Sequence, residues 1–352
     1  MRIVITGATG NVGTALLRRL TADGHDLVGL ARRIPSAGST DPRVAWRSVD
    51  LTTGESAYEL ADAFTGADAV VHLAWGFQPS HDVGHLERLG VDGTRRVIRA
   101  AVVAGVPHLV HQSSLGVYSP RSDDTPVDES WPTHGVRTSP YSQHKVAAEH
   151  LCDEAEGGDL LITRLRPGII GQRAAGSSLL RYGVPAPVPA RALGLLPVLP
   201  LDRRLRIPVV HADDVADACA RVLDQRPTGA FNLAAPDPLG AAAIAAAFGA
   251  RLVHVPSSVM RPAMSAAWHL RLQQVDPGWL DMAFALPLLD SGRARTELGW
   301  TPSHSAVETF AEVIDGMRTG ASAPTPVLRP RTVRSALRDA VRHGTVGRRD
   351  RS

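Results

Sequence analysis

The chain contains 352 residues, of which 44% are hydrophobic and 21% are charged, and its formal net charge at pH 7 is +3. This composition is typical of a folded globular protein and argues against an intrinsically disordered chain. No apolar run reaches the ~18 residues that a membrane-spanning helix requires, and two cysteines, Cys152 and Cys219, are too few for a disulfide framework. We therefore expect a cytoplasmic protein of one large or two modest domains, without a signal peptide.

The first predicted element is a strand over 3–6, which is followed by a glycine-rich loop and by a helix over 14–23. Gly7, Gly10 and Gly13 give the loop the spacing Gly-x-x-Gly-x-x-Gly. Glycines allow the backbone to approach a pyrophosphate closely, and free N–H groups at the start of the helix attract its charge. This placement between strand and helix predicts a dinucleotide site with the loop residues Gly7, Thr9, Gly10, Asn11, Val12 and Gly13.

The second predicted strand, 26–31, bears on the choice of cofactor. It ends in Ala31-Arg32-Arg33, whereas an enzyme that prefers NAD usually has a carboxylate there to bind the ribose 2′-hydroxyl. Ala31 cannot make that bond, and Arg32 and Arg33 can hold a 2′-phosphate with charge-assisted hydrogen bonds. The sequence therefore favours NADP, with NAD possible; the competing interpretation is a pair of solvated arginines on a loop.

Strands and helices then alternate along the chain, which predicts an α/β fold with a doubly wound parallel sheet of Rossmann type. Ligands bind at the carboxyl ends of the strands in such a sheet. The dinucleotide-binding domain would comprise 1–166 and about 207–236, and a small C-terminal substrate domain about 167–206 and 237–318. Further strands are expected over 44–49, 69–73, 109–112, 160–166, 205–211 and 230–233, all in one sheet, with helices over about 82–104 and 141–156.

The basic pI of the chain comes from its C-terminal end. Eight arginines and two aspartates lie between positions 329 and 352, a balance of +6 that leaves about −3 for the rest of the chain. Val333, Leu337 and Val341 recur at helical spacing, so a short amphipathic helix is possible there. Such a segment is either a contact for nucleic acid or membrane or a solvated extension. We favour a flexible, solvated tail over 319–352 because chain termini are generally mobile, and we expect no membrane partner. Because few aromatic residues interleave the arginines, we expect no nucleic-acid binding either.

Lys145 is the only lysine in a chain with 37 arginines. It follows Tyr141 by four residues in Tyr-Ser-Gln-His-Lys, so both side chains would share one face of the predicted helix. An ammonium beside the phenol would stabilise the phenolate and lower the pKa of Tyr141 from its usual value near ~10. Arginine cannot replace lysine where a compact cation is required, so we interpret the pair as catalytic, with chance spacing as the alternative.

Further segments accompany these motifs, at 50–51, 72–74, 113–118, 166–168, 211–216 and 289–302. Jointly with 6–13 and 139–145, they resemble the extended short-chain dehydrogenase/reductase family, also called the NAD-dependent epimerase/dehydratase family, over roughly 1–318. The resemblance implies that Ser114, Tyr141 and Lys145 are catalytic. Tyr141 would be the general acid/base, Ser114 would stabilise charge on oxygen, and Lys145 would hold the nicotinamide ribose. Tyr141 and Lys145 would thus also contact the cofactor, together with Asp50, Leu51, Leu73, Ala74, Pro167 and Gly168.

Three positions depart from patterns of this family. Gly90 stands where the family often has Asn. This difference would affect a bridge that the Asn makes through water or the backbone, and not the catalytic residues themselves. Leu115 and Gly116 follow Ser114 where sugar-nucleotide 4,6-dehydratases carry an Asp-Glu pair, so that dehydration is not expected. Ile169 stands where sugar-nucleotide members tend to have an Asn that anchors the diphosphate, which disfavours a nucleotide-sugar substrate.

The residues after the fourth strand are expected to border the substrate pocket. We assign Trp75, Phe77, His81, Ser114 and Leu115 to this pocket. The mixed apolar character of the first three favours a less polar substrate than a sugar diphosphate. The six arginines between positions 173 and 206 either meet an anionic substrate or form a solvated rim. No metal site is expected, because His81 and His85 have the spacing of a ligand pair but no evident third ligand.

These interpretations predict an NADP(H)-preferring oxidoreductase that transfers a hydride between nicotinamide C4 and a secondary alcohol or ketone of a small molecule. One alternative is a nucleotide-sugar epimerase with a tightly bound nicotinamide cofactor. A second alternative is a non-catalytic regulator that senses NADP, although such a protein would not need the Tyr141–Lys145 pair. By resemblance to relatives in which the helices near 82–104 and 141–156 pair two subunits, we also expect a homodimer.

Overall fold

The computed structural model of the protein describes residues 1–76, 80–183, 190–273 and 275–332. Its strands are β1 (Arg2–Thr6), β2 (Asp26–Ala31), β3 (Val44–Ser48), β4 (Ala69–His72), β5 (His108–Gln112), β6 (Leu161–Pro167), β7 (Ile169–Gly171), β8 (Val198–Leu201), β9 (Arg206–Ile207), β10 (Val209–His211), β11 (Gly229–Leu233), β12 (Leu239–Gly240) and β13 (Arg251–His254). Its α-helices are α1 (Asn11–Ala22), α2 (Ser56–Phe64), α3 (Val83–Glu87), α4 (Gly93–Val103), α5 (Pro140–Ala155), α6 (Gly176–Gly183), α7 (Ala212–Gln225), α8 (Ala241–Ala247), α9 (Ser257–His269), α10 (Pro277–Ala285), α11 (Gly292–Leu298) and α12 (Ala306–Thr319). None of these helices is both long enough and apolar enough to cross a membrane.

Seven strands form one sheet in the order β11-β6-β5-β4-β1-β2-β3, and all of its neighbouring strands are parallel. Its central strands are buried on both faces, as parallel strands require. Helices α1 and α7 cover one face, around Leu16 and Phe231. Helices α2, α4 and α5 contribute to the core on the other face, around Leu60 and Ile98. The doubly wound parallel sheet predicted from the alternation of elements is therefore confirmed.

The order of the strands places a crevice between β1 and β4. From β1 the chain proceeds outward to β2 and β3, and it then crosses back to β4 on the opposite side of β1. The loops after β1 and β4 thus leave the sheet in opposite directions, and a crevice opens between them at the carboxyl ends of the strands. This is the position in which the sequence places the glycine-rich loop and Leu73-Ala74.

Two expectations about the later strands have different outcomes. The expected strand 230–233 is found as β11, beside β6 in the seven-stranded sheet. The expectation that 205–211 joins the same sheet is wrong, because β10 pairs with β7 and β9 pairs with β12, both outside it. The chain turns out of β6 at Gly168, whose missing Cβ would lie only 2.5 Å from the carbonyl oxygen of Pro208. That close approach directs the following residues into a separate small sheet.

The helix expected over 82–104 is interrupted. Helix α3 is followed by a π-helical turn over Arg88–Asp92, and only then does α4 begin at Gly93. Beside this turn the hydroxyl of Thr94 donates to the carbonyl oxygen of Gly90, at 2.6 Å. π-Helical turns of this kind occur frequently at functional sites, and this one borders the crevice through Leu89.

The chain continues in an ordered path beyond α12, which differs from the flexible tail that we expected from position 319. A left-handed backbone conformation ends the helix at Gly320, which has a φ of 68°. The following residues pack back on the protein, and Thr325 and Leu328 are only 5% and 1% exposed. Residues 333–352, including the positions of the possible amphipathic helix, lie outside the described residues.

Candidate active site

Two adjoining cavities occupy the crevice at the carboxyl ends of the strands. The first, which we call the adenosine cavity, is lined by Arg32, Arg33, Asp50 and Leu51. The second, the nicotinamide cavity, contains the side chains predicted to be catalytic, Ser114, Tyr141 and Lys145. Residues that line both cavities lie at their junction: Gly7, Gly10, Leu73, Trp75 and Val327. One elongated ligand can therefore extend from the ends of β2 and β3 to the start of α5.

The glycine-rich loop forms the floor of the junction, and its backbone is closely packed. Gly7 has a φ of +70°, and a Cβ there would lie 2.6 Å from the amide nitrogen of Ala74. A Cβ at Gly13 would lie 2.5 Å from the carbonyl oxygen of Gly7. Helix α1 begins directly after Gly10, which has no side chain to cap the first turn. The loop is thus built to present backbone N–H groups, the preferred partners of a pyrophosphate.

The adenosine cavity is bounded by the ends of β2 and β3. Arg32 is partly buried and Arg33 is exposed. Ser48 fixes the backbone at this point, since its hydroxyl donates to the carbonyl oxygen of Arg32 at 2.9 Å. The Asp50 carboxylate accepts hydrogen bonds from the amide and the hydroxyl of Thr52, at 2.9 and 2.7 Å. These bonds fix the turn that closes the adenosine end of the site.

A chain of buried hydrogen bonds connects β1, the strand before the glycine-rich loop, with the π-helical turn. The Thr6 hydroxyl lies 2.7 Å from Nδ1 of His72, and Nε2 of His72 lies 2.9 Å from the Thr94 hydroxyl. Because Thr94 donates to Gly90, it must accept from His72, which therefore carries its proton on Nε2. Burial, and secondarily the charge of Lys145, lowers the pKa of His72 to about 3. His72 is thus a neutral structural bridge at physiological pH.

Ser114 and Tyr141 are brought together by two short elements. Ser114 ends the loop after β5, and its hydroxyl accepts from the amide of Gly116 at 3.0 Å and forms a hydrogen bond with the phenol of Tyr141. Tyr141 lies in the first turn of α5, which Ser139 caps. Ser142 joins the two, because its hydroxyl donates to the Gly116 carbonyl oxygen at 2.5 Å. The phenol and the serine hydroxyl therefore face one point of the nicotinamide cavity.

The expected effect of Lys145 on Tyr141 does not hold in this structure. Burial raises the pKa of Tyr141 to about 12, and the hydrogen bond with Ser114 opposes this only in part. The ammonium of Lys145 is directed elsewhere: it donates to the carbonyl oxygen of Gln112 at 2.8 Å and lies 3.6 Å from the centroid of the Trp75 ring. The position i+4 on the helix therefore brings the cation to the site but directs it to other partners than the phenol.

Lys145 is itself an unusual cation, because it is only 2% exposed. Burial lowers its pKa to about 7, and the negative charge of Glu149 opposes this effect. Glu149 is engaged by Arg166, with nitrogen–oxygen distances of 2.9 and 2.6 Å. The ammonium thus depends on a carbonyl oxygen and on an aromatic face for its stabilisation.

Trp75 occupies the space that Gly90 leaves open. A Cβ at Gly90 would lie 2.9 Å from two carbon atoms of the Trp75 ring. The same ring covers Lys145 and meets Tyr141 edge to face, with ring centroids 6.3 Å apart. The departure from the family pattern at Gly90 therefore has a structural counterpart, since an Asn side chain and the Trp75 ring cannot occupy this space together.

Among the described residues that line the nicotinamide cavity, two have a buried side-chain polar atom without a hydrogen-bond partner, and both lie at the end of β5. These atoms are the hydroxyl oxygen of Ser113, which is 1% exposed, and Oε1 of Gln112. Both residues line the nicotinamide cavity. Buried polar groups normally have partners, so a polar ligand group is expected here. Together with the glycine-rich loop, these atoms fit a nicotinamide dinucleotide.

The outer wall of the nicotinamide cavity is mostly apolar. Leu115, Leu179, Ile207, Met282 and Leu286 line it, and Trp279 lies 5.1 Å from Tyr141 between ring centroids. Among the described residues of the predicted rim, one arginine, Arg206, joins them. Sequence reasoning missed the contribution of α6 and α10 to this wall. The Asp276-Pro277 start of α10 is a recognisable helix signal, but nothing in it indicates which wall the helix joins.

Most residues predicted to bind cofactor or substrate line one of the two cavities. Of the predicted substrate residues, Trp75, Ser114 and Leu115 do so, and Phe77 lies outside the described residues. His81 instead stacks on Trp268, with ring centroids 3.4 Å apart. The predicted cofactor residues that line a cavity are Gly7, Thr9, Gly10, Asn11, Val12, Gly13, Arg32, Arg33, Asp50, Leu51, Leu73, Ala74, Tyr141, Lys145, Pro167 and Gly168.

Comparison with known proteins agrees with this geometry. The model of the NAD dependent epimerase/dehydratase family matches residues 3–234, more than half of the chain. The chain belongs to this family. The 3-diazoavenalumate denitrifying reductase of a Streptomyces species is 27% identical over 319 residues, which cover 86% of this chain and 97% of the reductase. An uncharacterized protein of Mycobacterium tuberculosis is 29% identical over 316 residues, or 89% of this chain, but the chain spans only 29% of that protein.

Solved structures show the same fold. The UDP-glucose 4-epimerase of Thermus thermophilus in complex with NAD superimposes with a TM-score of 0.67 at 23% identity, covering 90% of this chain and 99% of the epimerase. MoeE5 in complex with UDP-glucose and NAD gives 0.68 at 22% identity, covering 92% and 100%. Named relatives of the family thus include reductases and epimerases, and structural neighbours hold NAD. A nicotinamide dinucleotide is accordingly the cofactor type that these findings support for this chain.

Proposed function

We propose that this protein is an NADP(H)-preferring oxidoreductase that interconverts a secondary alcohol and a ketone on a small, largely apolar substrate. The observation that carries the proposal is the hydrogen-bonded pair of Ser114 and Tyr141 at one end of the glycine-loop cleft, with Lys145 beside it. A bound nicotinamide dinucleotide would supply or accept the hydride. The side chains of this chain would have to orient the carbonyl group, exchange its proton and hold the cofactor.

Tyr141 is suited to donate the proton. Its pKa is raised to about 12 by burial, so the phenol keeps its proton at neutral pH and can pass it to an oxygen that becomes negative. The Ser114 hydroxyl, which is hydrogen-bonded to the phenol in this structure, has one proton and can turn it to the substrate oxygen once the phenol itself donates to that oxygen. In the direction of alcohol oxidation, the hydrogen bond from Ser114 favours the phenolate that must accept the proton.

The preference for NADP rests on the end of β2. A 2′-phosphate at the ribose would meet Arg32 and Arg33 in the adenosine cavity, whereas no carboxylate directly follows β2 to bind a 2′-hydroxyl. We expect NADPH to bind at least about tenfold more tightly than NADH, and Arg32→Ala to remove most of that difference. Arg47→Ala, which changes an exposed arginine paired with Asp62, is a matched control that should leave the ratio of the NADPH and NADH affinities unchanged. Equal affinities of the wild-type protein for both cofactors would contradict the preference.

The apolar character of the substrate is supported by the outer wall of the nicotinamide cavity. Leucine, isoleucine, methionine and tryptophan side chains dominate this wall. A nucleotide sugar would bring a diphosphate into these surroundings, where only Arg206 among the described cavity-lining residues of that wall carries a charge. Burying such an anion without charged partners is costly. This observation favours an aryl or alkyl ketone over a sugar nucleotide.

The two enzymatic interpretations differ in their use of the hydride. A reductase consumes one NADPH for each product, which appears as loss of absorbance of the reduced nicotinamide, whereas an epimerase returns the hydride and consumes none. We expect stoichiometric oxidation of NADPH with a panel of aryl and alkyl ketones, and no such oxidation in Tyr141→Phe, which should still bind NADPH. Epimerisation of a UDP-sugar without net change in the cofactor would replace the proposal with the alternative.

A further inference from the structure

The segment that follows α12 lies beside the cofactor crevice and has no part in the proposed reaction. Residues 323–329, which we call the strap, form a compact turn that is closed by a hydrogen bond from the amide of Ala323 to the carbonyl oxygen of Leu328, at 2.9 Å. The strap lies beyond the part of the chain that the family model matches, which ends at residue 234. Its sequence, Ala-Pro-Thr-Pro-Val-Leu-Arg, contains no motif that indicates a ligand site.

The strap is anchored on the glycine-rich loop. The hydroxyl of Thr325 donates to the carbonyl oxygen of Thr9 at 2.9 Å, and it accepts from the amide of Leu328 at 3.3 Å. Thr325 is 5% exposed and Leu328 is 1% exposed. Because the buried Thr325 hydroxyl both donates and accepts a hydrogen bond, it holds the strap in one position against the glycine-rich loop. The strap is therefore packed as part of the folded protein.

Contacts on both sides show that the strap crosses the crevice. On one side, the guanidinium group of Arg181, in α6, donates to the carbonyl oxygens of Val327 and Arg329. On the other side, the hydroxyl of Ser39, in the loop between β2 and β3, lies 3.4 Å from the carbonyl oxygen of Pro324. The glycine-rich loop lies between these two supports. The strap consequently spans the cleft from α6 to the adenosine end.

Val327 stands at the junction of the two cavities. It lines the adenosine cavity together with Pro326, and it lines the nicotinamide cavity together with Leu328. Gly7 and Gly10 line both cavities as well. A dinucleotide that reaches from the adenosine cavity to the nicotinamide cavity must pass this junction, where the pyrophosphate lies against the glycine loop. The ligand would then have the loop on one side and Val327 on the other.

We propose that the strap covers the pyrophosphate of the bound dinucleotide and that Val327 is a cofactor-contacting residue. The inference rests on the dinucleotide site of the proposed function, but not on the reaction. An aliphatic side chain over the pyrophosphate excludes water and strengthens the electrostatic attraction between the phosphates and the loop amides. The cofactor can leave only when the strap lifts, so the strap slows dissociation.

The anchor of the strap is tested on the full chain by stopped-flow displacement of NADPH, followed by its fluorescence. Thr325→Val removes the buried hydrogen bond to the Thr9 carbonyl oxygen, and we expect the dissociation rate of NADPH to rise roughly tenfold. Thr325→Ser keeps the hydroxyl and should dissociate NADPH as the wild type does. A Thr325→Val protein that releases NADPH at the wild-type rate, or more slowly, would overturn the proposal.

A second pair of variants tests the position of Val327. Val327→Asp places a carboxylate beside the pyrophosphate, and we expect it to weaken NADPH binding at least about tenfold more than the similarly shaped but uncharged Val327→Asn does. High salt should reduce this difference. Equal affinities of the two variants would show that Val327 does not face the phosphates and would overturn the proposal. Failure of bound NADPH to reduce any ketone would instead contradict the proposed reaction, and it would leave these binding measurements valid.

Discussion

Replacing Lys145 by methionine should abolish turnover and yet make the cofactor-free protein more stable at neutral pH. Lys145 is 2% exposed, and its ammonium donates to the Gln112 carbonyl oxygen and lies over the face of Trp75. Methionine has a similar length and volume but no charge, so it can fill the same space without a desolvation cost. A site that needs a buried cation for its chemistry is expected to reduce the stability of the fold.

The size of the effect follows from the pKa of Lys145, which burial lowers from 10.5 to about 7. Each pKa unit corresponds to ~1.4 kcal/mol, so the charged form is disfavoured in the folded protein by roughly 4–5 kcal/mol. Methionine loses the contact of the cation with the Trp75 ring, which is worth about 2 kcal/mol in a desolvated site. It also removes the donor to the Gln112 carbonyl oxygen, which costs about 1 kcal/mol or more. We therefore expect the free energy of unfolding to rise by about 1–2 kcal/mol in Lys145→Met.

The dependence on pH identifies the cause. Because the pKa of Lys145 is lower in the folded than in the unfolded state, the cost is complete below pH 7 and disappears as the pH rises from about 7 towards 10.5. Urea denaturation of both proteins between about pH 6 and pH 10 should show the largest advantage of Lys145→Met at the acidic end and a shrinking one above pH 7. An advantage that is independent of pH, or a variant less stable than the wild type at the acidic end, would refute this reasoning.

Further changes test the supports of the site. Gly90→Asn should weaken both stability and NADPH binding, because its Cβ would lie 2.9 Å from the Trp75 ring. Adding Trp75→Ala should restore much of the loss, and purely additive effects of the two substitutions in a double-mutant cycle would contradict the contact. Tyr118→Phe should lower the free energy of unfolding by about 2 kcal/mol and leave kcat unchanged. The buried Tyr118 hydroxyl donates to Asn232 at 2.6 Å, and Tyr118 is not among the described residues that line the nicotinamide cavity. An altered kcat would contradict this purely structural role. Ser142→Ala should lower kcat about tenfold at nearly constant cofactor affinity, because Ser142 holds the start of α5 against Gly116. An unchanged kcat would show that Tyr141 is positioned without the Ser142 hydrogen bond.

The local sequence was sufficient to predict the glycine-rich loop, most strands of the sheet and the shared helix of Tyr141 and Lys145. Each of these depends on patterns within a few residues: strand, glycines and helix in succession, and a spacing of four on one helix. The strand 26–31, for instance, agrees with β2 at both ends. Since parallel strands bring their carboxyl ends to one edge, the same patterns also predicted which loops would meet.

Other properties depend on contacts between residues far apart in the chain, which no local pattern encodes. Thr325 anchors the strap on Thr9, 316 positions away, so the composition of this segment alone predicted a flexible tail and could not identify its partner. The direction of the pKa shift of Tyr141 was predicted incorrectly, because burial is set by the surrounding walls and outweighs a cation that points to Gln112 and Trp75. The order of elements along the chain determines which chemical groups lie at the crevice. The packing of distant segments determines how far each group is buried, which charges lie near it and how much space surrounds it.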